Sequence, residues 1–344
     1  MKMARFLLSK SRVLEQYDSI RSLGMISYSF KTNPIVGQLL EKETGCMFSV
    51  HFINELKLIK DKKRVWFLAQ ALREPLLKDL LAQGVDKFVV ENKEDLDLLL
   101  RYIEEHDHKI ELLLRMKLKE NTIKTEKYYV FGMDSGAVNS ELKVLKDNKN
   151  ISMLGVHVHR KTQNVSEWDL VRELSELIDE DVFKVIGCVD IGGGLPVMYK
   201  NITDKVVPSV IKKITELKDW LSGKGVELMI EPGRYISGPS IRLETEIVGI
   251  HGSTIVVDAS VYNASPDTLI VPVKLLVEGE SETGKAYVLK GITPCSTDLF
   301  RYRVYFPPEK EFKVGDKIVF LNAGAYNFHT EFCELNKIET VIVD

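Results

Sequence analysis

From Ile26 to about Glu231, short β-branched or apolar runs alternate with longer stretches whose apolar residues recur at three and four places. Compact apolar runs predict strands and the recurring spacing predicts amphipathic helices, so the region reads as βα units on a parallel sheet. The expected strands are ISYSFK ending at Lys31, CMFSV ending at Val50, RVWFLA ending at Ala69 and DKFVV ending at Val90. IELLLRM follows, ending at Met116, then MLGVHVH ending at His159, VIGCVDI ending at Ile191 and VELMIE ending at Glu231. That makes about eight, the number that closes a (β/α)8 barrel. EPLLKDLLAQ, KEDLDLLLRYIEE, EWDLVRELSELI and VPSVIKKITELKDWL would form the outer helical ring. After Glu231 the texture changes to period-two runs with turn residues: IRLETEIVGI, STIVVD, TLIVPVKLLV, KAYVLK, KIVFLN and IETVIV. The expected fold is therefore α/β, a barrel over residues 1–236 followed by an all-β domain over residues 237–344.

Composition narrows the function more than the fold. At 344 residues, with 44% hydrophobic and 28% charged residues, the chain has material for a large core and is not a disordered or fibrous sequence. A net charge of -3 supplies no basic field for a phosphate backbone, so no nucleic-acid partner is expected. No apolar run approaches the roughly 20 residues a spanning helix needs, and the opening MKMARFLLSKSRVLEQYDS breaks into charge too early for a signal peptide. A cytoplasmic protein with no membrane partner is the expectation. Cys46, Cys188, Cys295 and Cys333 lack paired spacing and neighbouring histidines, so no metal site is expected.

Barrels of this class carry their chemistry at the C-terminal ends of the strands. Lys31 ends the first strand in SYSFKTNP, and alone it reads as a solvated surface lysine. His159 closes the sixth in GVHVHRKTQN, where a flat ring could stack on a planar ligand or simply make a structural hydrogen bond. The seventh runs into DIGGGLP, where Gly192, Gly193 and Gly194 leave backbone N–H groups open to an anion. The eighth ends EPGRYISGPS, with Glu231, Gly233 and Arg234 within four positions; the bland reading is a structural ion pair. An amine, a stacking ring, a phosphate cradle, a guanidinium and a carboxylate at one face are together what pyridoxal 5'-phosphate requires.

With these residues in place, the sequence resembles the fold-type III pyridoxal phosphate-dependent decarboxylases, the ornithine/diaminopimelate/arginine decarboxylase group, over nearly its whole length. SYSFKTNP resembles the family's Y-A-x-K-x-N, which makes Lys31 the lysine that binds the cofactor aldehyde. GVHVHRKTQN resembles G-x-H-x-H-x-G-S-Q, making His159 the ring-stacking histidine and Thr162 the counterpart of a serine. DIGGGLP and EPGRYI carry over Gly192, Gly193, Gly194, Glu231, Gly233 and Arg234 as cofactor residues. GAYNFHTEF resembles the G-A-Y segment, with Tyr326 at the phosphate and Phe332 or Phe328 lining the substrate site. GITPCSTD resembles G-P-x-C-x-x-x-D, which relatives deliver into the partner subunit's site of a head-to-tail dimer. The resemblance thus implies Cys295 as a catalytic acid, Asp298 as a substrate residue and a homodimer with shared sites, although Cys295 lies one place later after the glycine than in the family pattern, so the register matches at Cys295 or at Asp298.

The chain also departs from the family pattern. Where relatives have D-V-A-S-x-x-E-L, this chain has SVHFINEL, so Ser49 replaces an aspartate and Phe52 a serine. Arg160 and Lys161 add cations where a small or apolar residue and a glycine are usual, and Val271 stands where diaminopimelate decarboxylases hold the distal carboxylate with arginine. Because the chain starts shortly before the first barrel strand, the N-terminal strand that relatives pair with the β domain is expected to be absent. Glu231 at the pyridine nitrogen would keep the ring a strong electron sink, which suits decarboxylation. Related alanine racemases have arginine there. The implied reaction is decarboxylation of a basic or diamino acid of the ornithine/lysine type, as in polyamine biosynthesis. Diaminopimelate is the runner-up, ahead of a racemase or a non-catalytic regulatory relative.

Overall fold

In the computed structural model, which describes residues 4–118 and 131–344, every expected barrel run contains a strand. Numbering from an N-terminal strand β1 (Arg5–Leu8), the barrel strands are β2 (Met25–Ser29), β3 (Met47–Val50), β4 (Val65–Ala69) and β5 (Lys87–Val90). They continue as β6 (Ile110–Arg115), β7 (Ile151–His157), β8 (Cys188–Asp190) and β9 (Glu227–Ile230). Each pairs in parallel with the next, and β9 closes on β2 through Met25↔Met229 and Ile26↔Ile230. Trp66, Leu68, Val89, Leu113, Cys188 and Met229 form a buried cluster, with Met25, Met47 and Met153 packed against it. Side chains from different strands thereby fill the barrel as a core, which keeps polar groups at its ends.

Local chemistry fixes where the mouth residues fall. Asn33 accepts hydrogen bonds from the Ile35 and Val36 N–H groups at 3.1 and 3.3 Å, and Pro34 opens the helix Pro34–Glu43. This cap and the fixed proline φ start the helix three residues after Lys31, leaving the lysine in a 3-10 turn above β2. Similarly β7 stops at His157, β8 at Asp190 and β9 at Ile230, so His159, the glycine run and Glu231 lie on the loops that follow.

The chain divides into two compact units. Residues 19–195 and 206–233 make the barrel, while the segment ending at Asp18, residues 196–205 and residues 234–344 make the second. The chain passes between the two units four times, after residues 18, 195, 205 and 233, where the sequence reading places one boundary after residue 236. In the second unit β10 (Ile241–His251) pairs with β11 (Thr254–Val257) and β15 (Lys317–Leu321). The sheet continues through β12 (Leu276–Val277), β13 (Lys285–Lys290), β14 (Leu299–Phe306) and β16 (Glu339–Ile342). Contrary to expectation the N-terminal strand is present: β1 pairs antiparallel with β10 and parallel with β16. Four residues suffice because Phe6, Leu7 and Leu8 are buried and Arg5 pairs with Glu244 at 2.8 Å. TLIVPVKLLV is not a strand over its length. A one-turn helix, Asp267–Ile270, follows Pro266, and only Leu276–Val277 pairs. Pro272, between them, has no N–H to give a ladder. LFRYRVYF, not expected as a strand, forms β14.

Candidate active site

A cavity of about 450 Å³ opens in the barrel unit, lined by Lys31, His51, Glu91, Arg115, His159 and Arg160 among others. Lys31 is exposed there, with Nζ 3.2 Å from His51 Nε2. His51 ends the run after β3, and the Glu55 carboxylate accepts the backbone N–H of His51 at 2.7 Å and of Phe52 at 3.0 Å. That pair of bonds caps the short helix Ile53–Leu56 and fixes the turn carrying the imidazole. Burial, then the Lys31 charge, push the His51 imidazole down to about 3, so its ring is neutral at neutral pH. Phe52 is 69% exposed and also lines the cavity.

Glu231 is buried on the loop after β9. His157 Nε2 lies 3.3 Å from one carboxylate oxygen, and the Ser49 hydroxyl donates to the other. The Ser27 hydroxyl is 2.7 Å from Ser49 Oγ, so three strands contribute to the network. Burial would raise this carboxyl, but the hydrogen bonds from His157 and Ser49 prevail and hold it below the usual carboxylate range. Ser49 thus gives the aspartate-to-serine departure a local meaning. It donates to Glu231, whereas a second carboxylate there would repel it.

Asp190 is fully buried, and burial followed by the Glu231 charge raises its carboxyl well above the ordinary value. It accepts the Gly192 N–H at 2.8 Å, while the Gly193 N–H donates to His159 Nδ1 at 3.2 Å. Two of the three amides expected to face an anion are therefore engaged within the loop. Glycine itself is required: at Gly192, φ is 66° and a Cβ would approach His159 Nδ1 to 2.3 Å. At Gly233 a Cβ would meet Thr32 Oγ1 at 2.1 Å, so the loop after β9 lies directly against the turn holding Lys31. Burial, then the Arg115 charge, push the His159 ring down to about 3, leaving it neutral. Thr162 is half-buried on the same loop.

Arg160 and Lys161 line the cavity but are not bare cations. Arg160 pairs with Glu167 and Glu173, and Lys161 lies 3.5 Å from Glu167. Arg115 pairs with Glu91 at 3.3 Å and lies over the Phe131 ring at 5.0 Å. His51, Arg115, His157 and Asp190 were not singled out from the sequence. His157 had a signal, because it stands two residues before His159.

The second unit brings Arg234 and Tyr326 together, with the guanidinium 5.0 Å from the ring centroid. Arg234 is buried and bonds Asp267 at 2.6 Å and the Tyr199 hydroxyl at 3.2 Å. Its ion-pair partner is thus Asp267 and not the neighbouring Glu231. Cys295 Sγ is 3.2 Å from the Tyr262 hydroxyl and 3.1 Å from Thr297 Oγ1. Hydrogen bonding to Thr297 and then to Tyr262 lowers its thiol from the ordinary value. Phe332 packs on Tyr262 at 4.4 Å and is 41% exposed, and Phe328 is also exposed.

Asp298, expected as a substrate residue, has its side chain engaged within the β unit. It is fully buried and accepts the Val261 N–H at 2.9 Å, the Thr293 N–H at 3.0 Å and the Thr293 hydroxyl at 2.7 Å. Its oxygens are committed to holding its own loop. Among the described residues no helix is long and apolar enough to cross a membrane.

The family model described as "Pyridoxal-dependent decarboxylase, pyridoxal binding domain" matches residues 12–238. Diaminopimelate decarboxylase of Aquifex aeolicus is 27% identical, over 94% of this chain and 82% of that protein. Lysine/ornithine decarboxylase of Selenomonas ruminantium is 22% identical, over 92% of this chain and 83% of that protein. The crystal structure of lysine/ornithine decarboxylase complexed with putrescine from Vibrio vulnificus superposes with a TM-score of 0.82 at 21% identity, covering 99% and 94% of the two chains.

Proposed function

This chain belongs to the pyridoxal-dependent decarboxylases, and from that premise we propose that it decarboxylates a basic or diamino acid of the lysine/ornithine type, releasing CO2 and an amine. The observation that carries the reaction class is Glu231, a buried carboxylate kept ionised by His157 and Ser49 in the same unit as the exposed Lys31. Lys31 would hold the cofactor aldehyde and the neutral His159 ring would face the pyridine without electrostatic repulsion. Glu231 would accept the pyridine N–H, and Gly192, Gly193, Gly194 and Gly233, where a Cβ would collide with the residues packed around the site, are proposed to border the cofactor. When bound, pyridoxal phosphate supplies the electron sink that allows the bond from Cα to the carboxylate to break. Arg234, Tyr326 and Thr162 are the residues proposed for its phosphate.

Glu91 supports the substrate reading. It lines the Lys31 cavity paired with Arg115 at 3.3 Å, and its carboxylate is the proposed acceptor for a second ammonium group. The lysine/ornithine decarboxylase relatives agree with this choice. A second reading, diaminopimelate, is favoured by Arg115, Arg160 and Lys161 on the same wall and by the Aquifex relative. The test is to incubate the cofactor-loaded protein separately with ornithine, lysine, arginine and meso-diaminopimelate, measuring CO2 and the amine product. Turnover of lysine or ornithine supports the first reading, and turnover of diaminopimelate alone supports the second. No CO2 from any of them sinks both.

We also propose that Cys295 acts as an acid in the site of a second copy, with Phe332 beside that substrate. The half-exposed thiol and its lowered titration support the role. Mixing inactive Lys31→Ala and Cys295→Ala subunits then restores part of the activity; no recovery after proven subunit exchange argues for a self-contained site.

A further inference from the structure

Lys31 has a neighbour that the sequence pattern does not explain. The family's D-V-A-S is replaced here by SVHF, which puts His51 where alanine is usual. Its Nε2 is 3.2 Å from Lys31 Nζ, within hydrogen-bond reach. On the other side of the ring, His51 Nδ1 is 4.0 Å from Glu55 Oε2, and Nδ1 itself is buried with no hydrogen-bond partner. Glu55 in turn is fixed by the backbone N–H groups of His51 and Phe52. Nucleophile and base therefore stand within hydrogen-bond reach of each other, the pairing by which a weak nucleophile is activated, and the Glu55 carboxylate lies near the far nitrogen of the ring.

An ammonium nitrogen has no lone pair, so Lys31 must lose a proton before it attacks a carbonyl carbon. We propose that His51 is a catalytic residue that takes this proton: the Lys31 N–H bond breaks, a new N–H bond forms at His51 Nε2, and the freed electron pair on Nζ is the nucleophile. Reversal of the step returns the proton. The groups acting electrostatically on His51 are Lys31, Arg115, His157 and Glu231, with Glu55 alongside. Burial and the Lys31 charge keep the imidazole neutral at rest, which leaves its lone pair available. The opposition from Lys31 vanishes as the proton moves, because Lys31 then becomes neutral.

The inference rests on Lys31 being the carbonyl-binding lysine, and the experiment separates the two. The full-length chain is stripped of cofactor with hydroxylamine, and covalent capture of added pyridoxal phosphate is followed by absorbance from neutral to alkaline pH. Borohydride trapping and peptide mapping locate the attachment. His51→Ala is expected to slow capture about 100-fold at neutral pH, with the deficit closing at alkaline pH, where hydroxide removes the proton instead. Added imidazole should restore the rate. His51→Gln, which can accept a hydrogen bond but not carry the proton, should remain slow.

A His51→Gln variant as fast as the parent, or a His51→Ala deficit equal at every pH and untouched by imidazole, overturns the proposal. Those results would leave His51 a packing residue. Trapping of the parent protein at a lysine other than Lys31 would sink the Lys31 assignment instead.

Discussion

Two buried carboxylates, Glu231 in the barrel unit and Asp298 in the β unit, look alike in the sequence and differ in what engages them. Each follows a motif that resembles a decarboxylase signature, and each is almost wholly removed from water. Asp298 receives two backbone N–H groups and the adjacent Thr293 hydroxyl, so it acts as a staple on the loop that carries Cys295. Glu231 receives two side chains from other barrel strands, His157 on β7 and Ser49 on β3. Backbone donors fix a fold. Side-chain donors brought from separate strands define the charge state of one group, which is what an electron-sink partner requires.

The largest expected effect separates these roles. Glu231→Gln keeps the shape of the side chain but removes the charge, and decarboxylation should fall by about 10²–10³, as when an electrostatic stabiliser is lost. The folded fraction and cofactor capture should change little. A variant retaining full turnover would show that the charge at this position does not serve the reaction. Asp298→Ala is the converse. It strands three donors, each costing about 1–3 kcal/mol when buried without a partner. Denaturant melting should show a loss of at least about 3 kcal/mol, with Km for substrate unchanged in the remaining folded protein. A large rise in Km without destabilisation would restore Asp298 to a substrate role. Ser49→Ala sits between them in kind but is smaller in size: it removes one donor to Glu231, for about 1 kcal/mol and roughly a fivefold loss of turnover. An equal loss in a background already carrying Glu231→Gln would disconnect Ser49 from that carboxylate.

These differences also mark how far the sequence was legible. The barrel strands could be read because each is a contiguous apolar run bounded by turns, and Lys31, His159, Gly192 and Glu231 follow those runs directly. β1 could not, since its four residues mean little until they pair with β10 more than two hundred positions away. TLIVPVKLLV misled because composition alone does not show how Pro266 and Pro272 break the ladder. His51 and Asp190 were passed over for a related reason. A histidine behind an apolar run or an aspartate before glycines is common, and only the folded barrel shows that one faces Lys31 and the other neighbours Glu231. Asp298 is the opposite case, as its motif is visible in the sequence while its three donors are not.

Asp190 supplies the finest test of the comparison, because it is a buried carboxyl raised where Glu231 is lowered. Below the ordinary carboxyl range Asp190 carries its proton in both folded and unfolded chains, so pH has no effect through it. As pH rises past the unfolded value, near 3.9, the unfolded chain releases the proton while the folded chain retains it. The unfolded state gains from each further rise, and the folded state loses relative stability until its own carboxyl titrates. Glu231 has the reverse sign: its contribution is present above the unfolded value and is lost as pH falls through the depressed folded one. Asp190→Asn keeps an oxygen for the Gly192 N–H and removes the titration. Its stability relative to the parent should therefore increase as pH is raised from about 4 toward neutrality, whereas Glu231→Gln should move the other way over the acid range. Denaturant midpoints measured across pH decide between them, and parallel curves for the parent and Asp190→Asn would mean that this carboxyl does not hold its proton in the folded barrel.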